Sequence, residues 1–141
     1  MDKTVYTTWI LKINKDSRKI KNKDGQEKIY YSYFTSFPQE LYEFLDIKDD
    51  CIYLVKDFSK DYEIIVTDTP SNLPVTSIKS KLVTRRKNYN NSNRIPTTSF
   101  TLSKKLFNNI NDYKEVKFTL HPNSKDKYRN KIGLISIQLI K

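Results

Sequence analysis

The sequence predicts a mainly β fold of the α+β class, with two short helices set between antiparallel strands. Three observations predict it. Apolar residues recur at every second position over several short segments, the pattern of strands with one buried face. Between them Leu41, Phe44 and Leu45 are spaced i, i+3, i+4 behind a proline, a stripe for a helix of barely two turns. The same order of elements then returns 65 residues later, where Ser103 takes the place of Pro38. Two divergent β-β-α-β-β units, related by an approximate two-fold within the chain, are the simplest expectation.

In chain order, residues 4–13 place Val5, Thr7, Trp9, Leu11 and Ile13 on one face of a strand. The stretch 14–27 is polar and basic, with a turn expected at Asp24-Gly25. Ile29, Tyr31, Tyr33, Thr35 and Phe37 alternate again, so these segments predict a hairpin with a long basic tip; core burial is the expected use of the Tyr30, Tyr31, Tyr33, Phe34 run. Pro38 suits a first helical turn, where its missing N–H has no partner to lose, and Glu40 favours the positive end of the helix dipole. A helix is predicted over 38–46. Strands over 51–55 and 62–67, around a polar turn from Asp57 to Asp61, complete a first unit at 1–68.

A linker over 69–74 holds Pro70 and Pro74. The second unit, 75–141, begins with a weakly patterned strand at 75–83, a basic Asn-rich loop at 84–94 and a strand at 97–102. A second helix is predicted over 103–110, where Leu106 and Ile110 repeat the spacing of Leu41 and Leu45. Val116, Phe118 and Leu120 alternate as a strand, His121-Pro122 reads as its end, and 132–140 forms the last strand. At 141 residues the two units are expected to pack as one compact domain. With only two glycines, asparagine is expected to occupy the left-handed turn positions.

The chain carries a formal charge of +10. Lysine-rich, Asn- and Ile-rich composition is also what an AT-rich coding sequence produces, so the position of the charges says more than their sum. Residues 31–70 hold three basic and nine acidic side chains, whereas 71–110 hold eight basic and no acidic ones. A one-sided basic surface of this kind favours a polyanion. Two predicted hairpin tips are basic in parallel: Lys15, Arg18, Lys19, Lys21 and Lys23 on the first, and Arg85, Arg86, Lys87, Asn88, Tyr89 and Arg94 on the second. Arginine geometry suits phosphate and guanine edges, and Asn and Tyr add hydrogen-bonding and stacking capacity. Duplex DNA is the expected partner. Asp49, Asp50, Asp57, Asp61 and Glu63 form an acidic stretch suited to a protein partner, such as the basic groove of a nucleic-acid enzyme blocked by an inhibitor.

Enzyme chemistry is not expected. His121 is the single histidine, without the second His or Cys cluster a zinc site needs. Glu115-Val116-Lys117 lacks the further carboxylate a metal-dependent nuclease requires, and reads as alternating charge on an exposed strand. Cys51 precedes an apolar run and is expected to be buried. No cofactor or metal is expected. Met1 leads into Asp2 and Lys3 without a signal-peptide apolar run, and one cysteine allows no internal disulfide, so a reducing, cytoplasmic setting is expected.

The run Phe37-Pro38-Gln39-Glu40-Leu41, continued through Leu45-Asp46-Ile47 to Asp49-Asp50, resembles the AbrB-like swapped-hairpin family. Leu102-Ser103-Lys104-Lys105-Leu106 with Ile110 is a weaker second copy. The resemblance implies two interlaced hairpin units in one small barrel, usually a homodimer, that binds DNA as a transcription regulator or as an antitoxin. Here one chain would supply both halves, as a monomer with internal pseudo-symmetry or as a homodimer of such chains. The family's Gly after the second Leu is Asp46, its Pro is Ser103 in the second copy, and the Gly-Arg pair that commonly opens its second strand is absent from both. The DNA contacts of that pair are therefore not carried over.

Overall fold

The computed structural model describes residues 7–56, 64–85 and 97–141, with Thr84, Arg85 and Thr97 described by their backbone alone. It is mainly β, with one short α-helix and two antiparallel sheets. The strands are β1 (Thr7–Lys12), β2 (Asn14–Lys21), β3 (Glu27–Phe37), β4 (Cys51–Lys56), β5 (Ile64–Thr67), β6 (Ile78–Lys81), β7 (Val83–Arg85), β8 (Thr97–Thr101), β9 (Glu115–Asp126) and β10 (Lys131–Ile140). The helix α1 (Gln39–Phe44) lies between β3 and β4. Six strands form one sheet in the order β1-β9-β10-β5-β4-β6, and four form the other in the order β2-β3-β8-β7.

Both orders have one property. Exchange each of β1–β5 for the strand five places later, and each sheet reads as itself backwards. The register obeys the same exchange, centred on the pairs Thr35↔Phe100 in the small sheet and Ile65↔Ser136 in the large one. Partners also cross over: β1 pairs with β9 and β6 pairs with β4. The chain passes between sheets at equivalent corners, where buried Ile13 donates its N–H to the Lys114 carbonyl (2.9 Å) and buried Leu82 to that of Asp50 (2.6 Å).

Several sequence expectations need correction. Residues 14–21 are a strand and not part of a loose tip, and β2, not β1, is the hairpin partner of β3. β2 is polar on both faces because both are exposed, so it lacks the apolar alternation that reveals a half-buried strand. The expected strand at 75–83 is instead β6 and β7, broken at the Leu82 corner. The second helix is only a turn followed by a 3-10 helix at Ile110–Asp112. Its start matches α1: the Pro38 carbonyl accepts from Leu41 and Tyr42, and the Ser103 carbonyl from Leu106 and Phe107. Asn109 then adopts a left-handed φ of 59° and stops propagation, as the poor helix propensity of Asn108-Asn109 permits. Positive φ elsewhere falls on Asp49, Asp50, Asn72 and Asn130, so aspartate shares with asparagine the positions a glycine-poor chain must fill.

One core joins the sheets. The rings of Phe37, Phe100 and Phe118 meet edge to face at centroid separations of 5.9, 5.9 and 6.1 Å, a favoured aromatic geometry. Leu41 is fully buried and Leu106 is 6% exposed, so both short turned segments pin the sheets from outside. His121 lies within β9, correcting its expected place at a strand end. Pro122 is tolerated there because the β9–β10 register shifts between Ile132 and Leu134, a bulge where no ladder donor is required. At that bulge Gly133 has φ +112°, and a Cβ on it would meet the Phe44 ring at 2.4 Å.

The β9–β10 turn is held by a buried polar knot. Asp126, fully buried, accepts the N–H groups of Tyr128 (3.0 Å) and Arg129 (3.3 Å) on one oxygen, and the Thr67 side chain lies beside its carboxylate. Arg129 reaches the buried Asp68 carboxylate (3.6 Å) and the Gly133 carbonyl (3.1 Å), and its guanidinium lies 5.0 Å from the centre of the Phe44 ring. Asp68 in turn accepts the Asp46 N–H at 2.6 Å, tying the end of α1 to β5.

Two outcomes follow from this packing. Leu41→Ala and Leu106→Ala should each lower unfolding free energy by about 2–5 kcal/mol in urea titrations, against less than about 0.5 kcal/mol for Ile20→Ala at an exposed site. Burial pushes the Asp126 carboxyl above the ordinary aspartate range, opposed by the two N–H bonds and by Arg129. The folded protein then binds this proton more tightly than the unfolded chain. Its stabilising contribution is present below the ordinary aspartate pKa and is lost as pH rises through the raised value. Asp126→Asn keeps the acceptor and gives the other position a donor, so urea midpoints across that window should fall with pH more in the wild type than in the variant. Parallel curves would show the shift to be absent.

Candidate nucleic-acid interface

β2 pairs with β3 over eight residues, from Asn14↔Phe34 to Lys21↔Glu27, but β8 pairs with β3 only over Phe34–Phe37. Beyond Tyr33, whose carbonyl still accepts the Leu102 N–H at 2.7 Å, the hairpin is a two-stranded ribbon with no third strand among the described residues. Directly opposed residues share a face. One face carries Lys15, Ser17, Lys19 and Lys21 against Tyr33, Tyr31, Ile29 and Glu27; the other carries Asp16, Arg18 and Ile20 against Ser32, Tyr30 and Lys28. The tip closes at Asn22–Gln26, where Gly25 takes φ +79° and bonds back to the Asn22 carbonyl at 2.9 Å.

Lys15, Arg18, Lys19, Lys21 and Lys23, all anticipated from sequence, are exposed along this ribbon. Lys28 joins them from β3. Among the described residues Arg129–Asp68 is the one ion pair, so none of the ribbon cations is paired with a carboxylate there. The expected burial of the tyrosine run holds for Tyr33 alone. Tyr31 and Tyr30 are 41% and 50% exposed, because the ribbon has left the core before it reaches them.

At the root of the ribbon the structure adds residues that sequence reasoning missed. Tyr33 donates its hydroxyl to Asn111 Oδ1 at 2.8 Å, and Lys15 Nζ donates to the same oxygen at 3.4 Å. Lys15 Nζ stands 4.2 Å from the centre of the Tyr31 ring, within cation–π range. Lys104 Nζ approaches the Tyr33 ring to 5.8 Å. Tyr33, Lys104, Phe107 and Asn108 through Asn111 line an open groove of about 540 Å³. The Asn-rich run 108–111 was the only sequence signal for it.

The second predicted tip is only partly described. Arg85 ends β7 opposite Thr97; Arg86, Lys87, Asn88, Tyr89 and Arg94 lie outside the described residues. Because β3 and β8 are antiparallel, the β7–β8 hairpin heads away from the first ribbon, toward the Phe37 end of β3. Of the acidic stretch, Asp49 and Asp50 are exposed in the turn before β4, and Asp57, Asp61 and Glu63 lie outside the described residues.

The remaining reactive groups are engaged in packing. Cys51 is buried and donates its thiol to the Asp49 carbonyl at 3.2 Å. His121 Nε2 lies 2.9 Å from Ser136 Oγ, and burial holds the imidazole below its ordinary pKa. No group of three or more His, Cys, Asp or Glu side chains is placed to hold a metal among the described residues. Among those residues no helix is long and apolar enough to cross a membrane.

No family model, curated protein or solved structure matches the chain.

Tyr33→Phe removes one hydroxyl that bonds Asn111 and leaves the ring in place. It should lower stability by about 0.5–1.5 kcal/mol, and NMR should show the chemical shifts of Lys15 and the Asn111 amide changing while those of the β9–β10 turn stay fixed.

Proposed function

We propose that this chain is a duplex DNA-binding protein that uses the β2–β3 ribbon as its principal contact. The observation that carries this reading is the ribbon itself: two strands standing clear of the sheet, with cations on both faces and no carboxylate partner among the described residues. Paired strands lie about 4.8 Å apart, and a two-stranded ribbon fits a major groove about 12 Å wide. Lysines on the edge strand β2 would reach phosphate oxygens, and Arg18 has the fork geometry for guanine. The predicted second tip, with Arg85, Arg86, Lys87 and Arg94, would extend the contact in the opposite direction.

The reading extends to architecture. We interpret the chain as two divergent copies of a swapped-hairpin unit, supported by the reversible strand orders, the crossed β1–β9 and β4–β6 pairs, and the shared hydrogen-bond pattern at Pro38 and Ser103. A regulator or antitoxin role accords with that interpretation.

The test is affinity for a labelled duplex as a function of salt. Replacing Arg18, Lys19 and Lys21 together by Ala should flatten the log-log slope by about 0.9 for each phosphate that is no longer neutralised and leave the melting temperature nearly unchanged. The Arg85, Arg86, Lys87 triple replacement should flatten it similarly. A clear preference for single strands of equal length would instead assign exposed Tyr30 and Tyr31 a base-stacking role and overturn the duplex assignment. Indifference to both triple changes, with loss of function on charge reversal at Asp49 and Asp50, would support an inhibitor that presents its acidic face to a protein.

A further inference from the structure

The exchange that maps one half of the fold onto the other makes the groove at the ribbon root directly comparable with its counterpart, and the two differ in charge. Tyr33, Lys104 and Asn108 have Thr98, Gln39 and Glu43 as equivalents at a constant offset of 65 residues, and Asn111 has Asp46. Lys15 has Thr84, fixed by the matching pairs Asn14↔Phe34 and Val83↔Ser99. The first root therefore carries Lys15, Lys104 and three asparagines where its counterpart carries Thr84, Gln39, Phe44 and two carboxylates, with Arg129 5.0 Å from the Phe44 ring.

At the first root the polar groups converge. Lys15 Nζ and Lys104 Nζ both lie within 6 Å of the Tyr33 ring centre, at 5.9 and 5.8 Å. Like charges near one ring repel, and an anion within reach of both lowers that cost. Each ammonium has three donors, and Lys15 uses one on Asn111, so donors remain for a further acceptor. The groove is open to solvent, and its Tyr33 lies on the same ribbon face as Lys19 and Lys21.

We propose that this groove is a phosphate clamp for one strand of the bound nucleic acid, and that its absence from the equivalent position gives the nearly symmetric fold a single primary arm and a fixed polarity on DNA. This rests on the DNA-binding reading above. The β2–β3 arm seats the backbone at its root; the opposite root has Gln39 and Glu43 where the clamp has Lys104 and Asn108.

Lys104 lies outside the ribbon and is exposed, so Lys104→Ala tests the clamp without disturbing the hairpin, and melting curves confirm folding. With a labelled duplex, Lys104→Ala should reduce the log-log salt slope by about 0.9 and weaken binding several-fold, whereas Gln39→Ala at the equivalent position should change neither. Replacing chloride by inorganic phosphate at equal ionic strength probes the groove with the free anion. A drop in affinity seen in wild type but not in Lys104→Ala would show that free phosphate and the DNA backbone compete for the groove, and supports the clamp; an equal drop in both proteins would place the anion effect elsewhere and overturn it. Equal effects of Lys104→Ala and Gln39→Ala would also overturn it while leaving DNA binding standing. A wild-type protein with no affinity for the duplex would remove the broader reading and the clamp together.

Discussion

The edge-to-face cluster of Phe37, Phe100 and Phe118 is the packing on which the rest of the molecule depends. It is where the small sheet lies on the large one, and each strand that passes a corner at Ile13 or Leu82 is directed by the need to keep those rings covered. The pair at the centre of the small sheet joins Phe100 to Thr35, one large residue against one small. Two phenylalanines directly opposed at that centre would overfill the space between sheets, since interiors are close-packed and overpacking is costly. Thr35 uses its position differently, donating its hydroxyl to the Lys12 carbonyl at 3.0 Å where β1 leaves for the other sheet. Packing thus gives a physical reason for the two halves to differ in sequence where they meet.

The cluster also explains where the ribbon begins. β3 is covered by β8 only as far as Phe34, and beyond Tyr33 it has no third strand among the described residues. Tyr33 is the last buried residue on that face, and its hydroxyl already faces the polar groove through Asn111. The boundary between core and interface is one side chain wide. Charge follows the same division: the buried ionic groups, Asp126, Arg129 and Asp68, lie at the β9–β10 turn, while the ribbon cations are solvated.

Much of the fold was legible in the sequence. Period-two apolar spacing marked β1, β3 and β9, and Pro38 with Leu41 and Leu45 marked α1. β2 was invisible as a strand because a ribbon wet on both faces carries no apolar rhythm. The crossing of β1 to β9 was hidden because spacing reveals a strand and not its partner. The second helix failed at Asn108-Asn109, where the spacing of Leu106 and Ile110 survives but the backbone turns left-handed. For the site, the five cations named on the first tip are exposed, three of them on β2 beside Lys15 and ahead of Lys23, whereas the groove was not foreseen. Lys15 meets Asn111 across 96 residues of sequence, and no local pattern encodes such a meeting.

The crossed pairing bears on how the chain is made. β1 finds its neighbour only after β9 exists, with Thr7 opposite Leu120, so β1 must wait until β9 has emerged from the ribosome. Pairings of such long sequence separation form slowly, because loop closure comes before the gain from pairing. Until then β4 can hold β5 and β6, but β5 lacks β10, leaving Ile64–Thr67 with an open backbone edge. Open apolar edges recruit other chains. Synthesis therefore passes through a stage at which the nascent protein is most exposed to self-association, and that exposure ends when the second half arrives to complete the sheet.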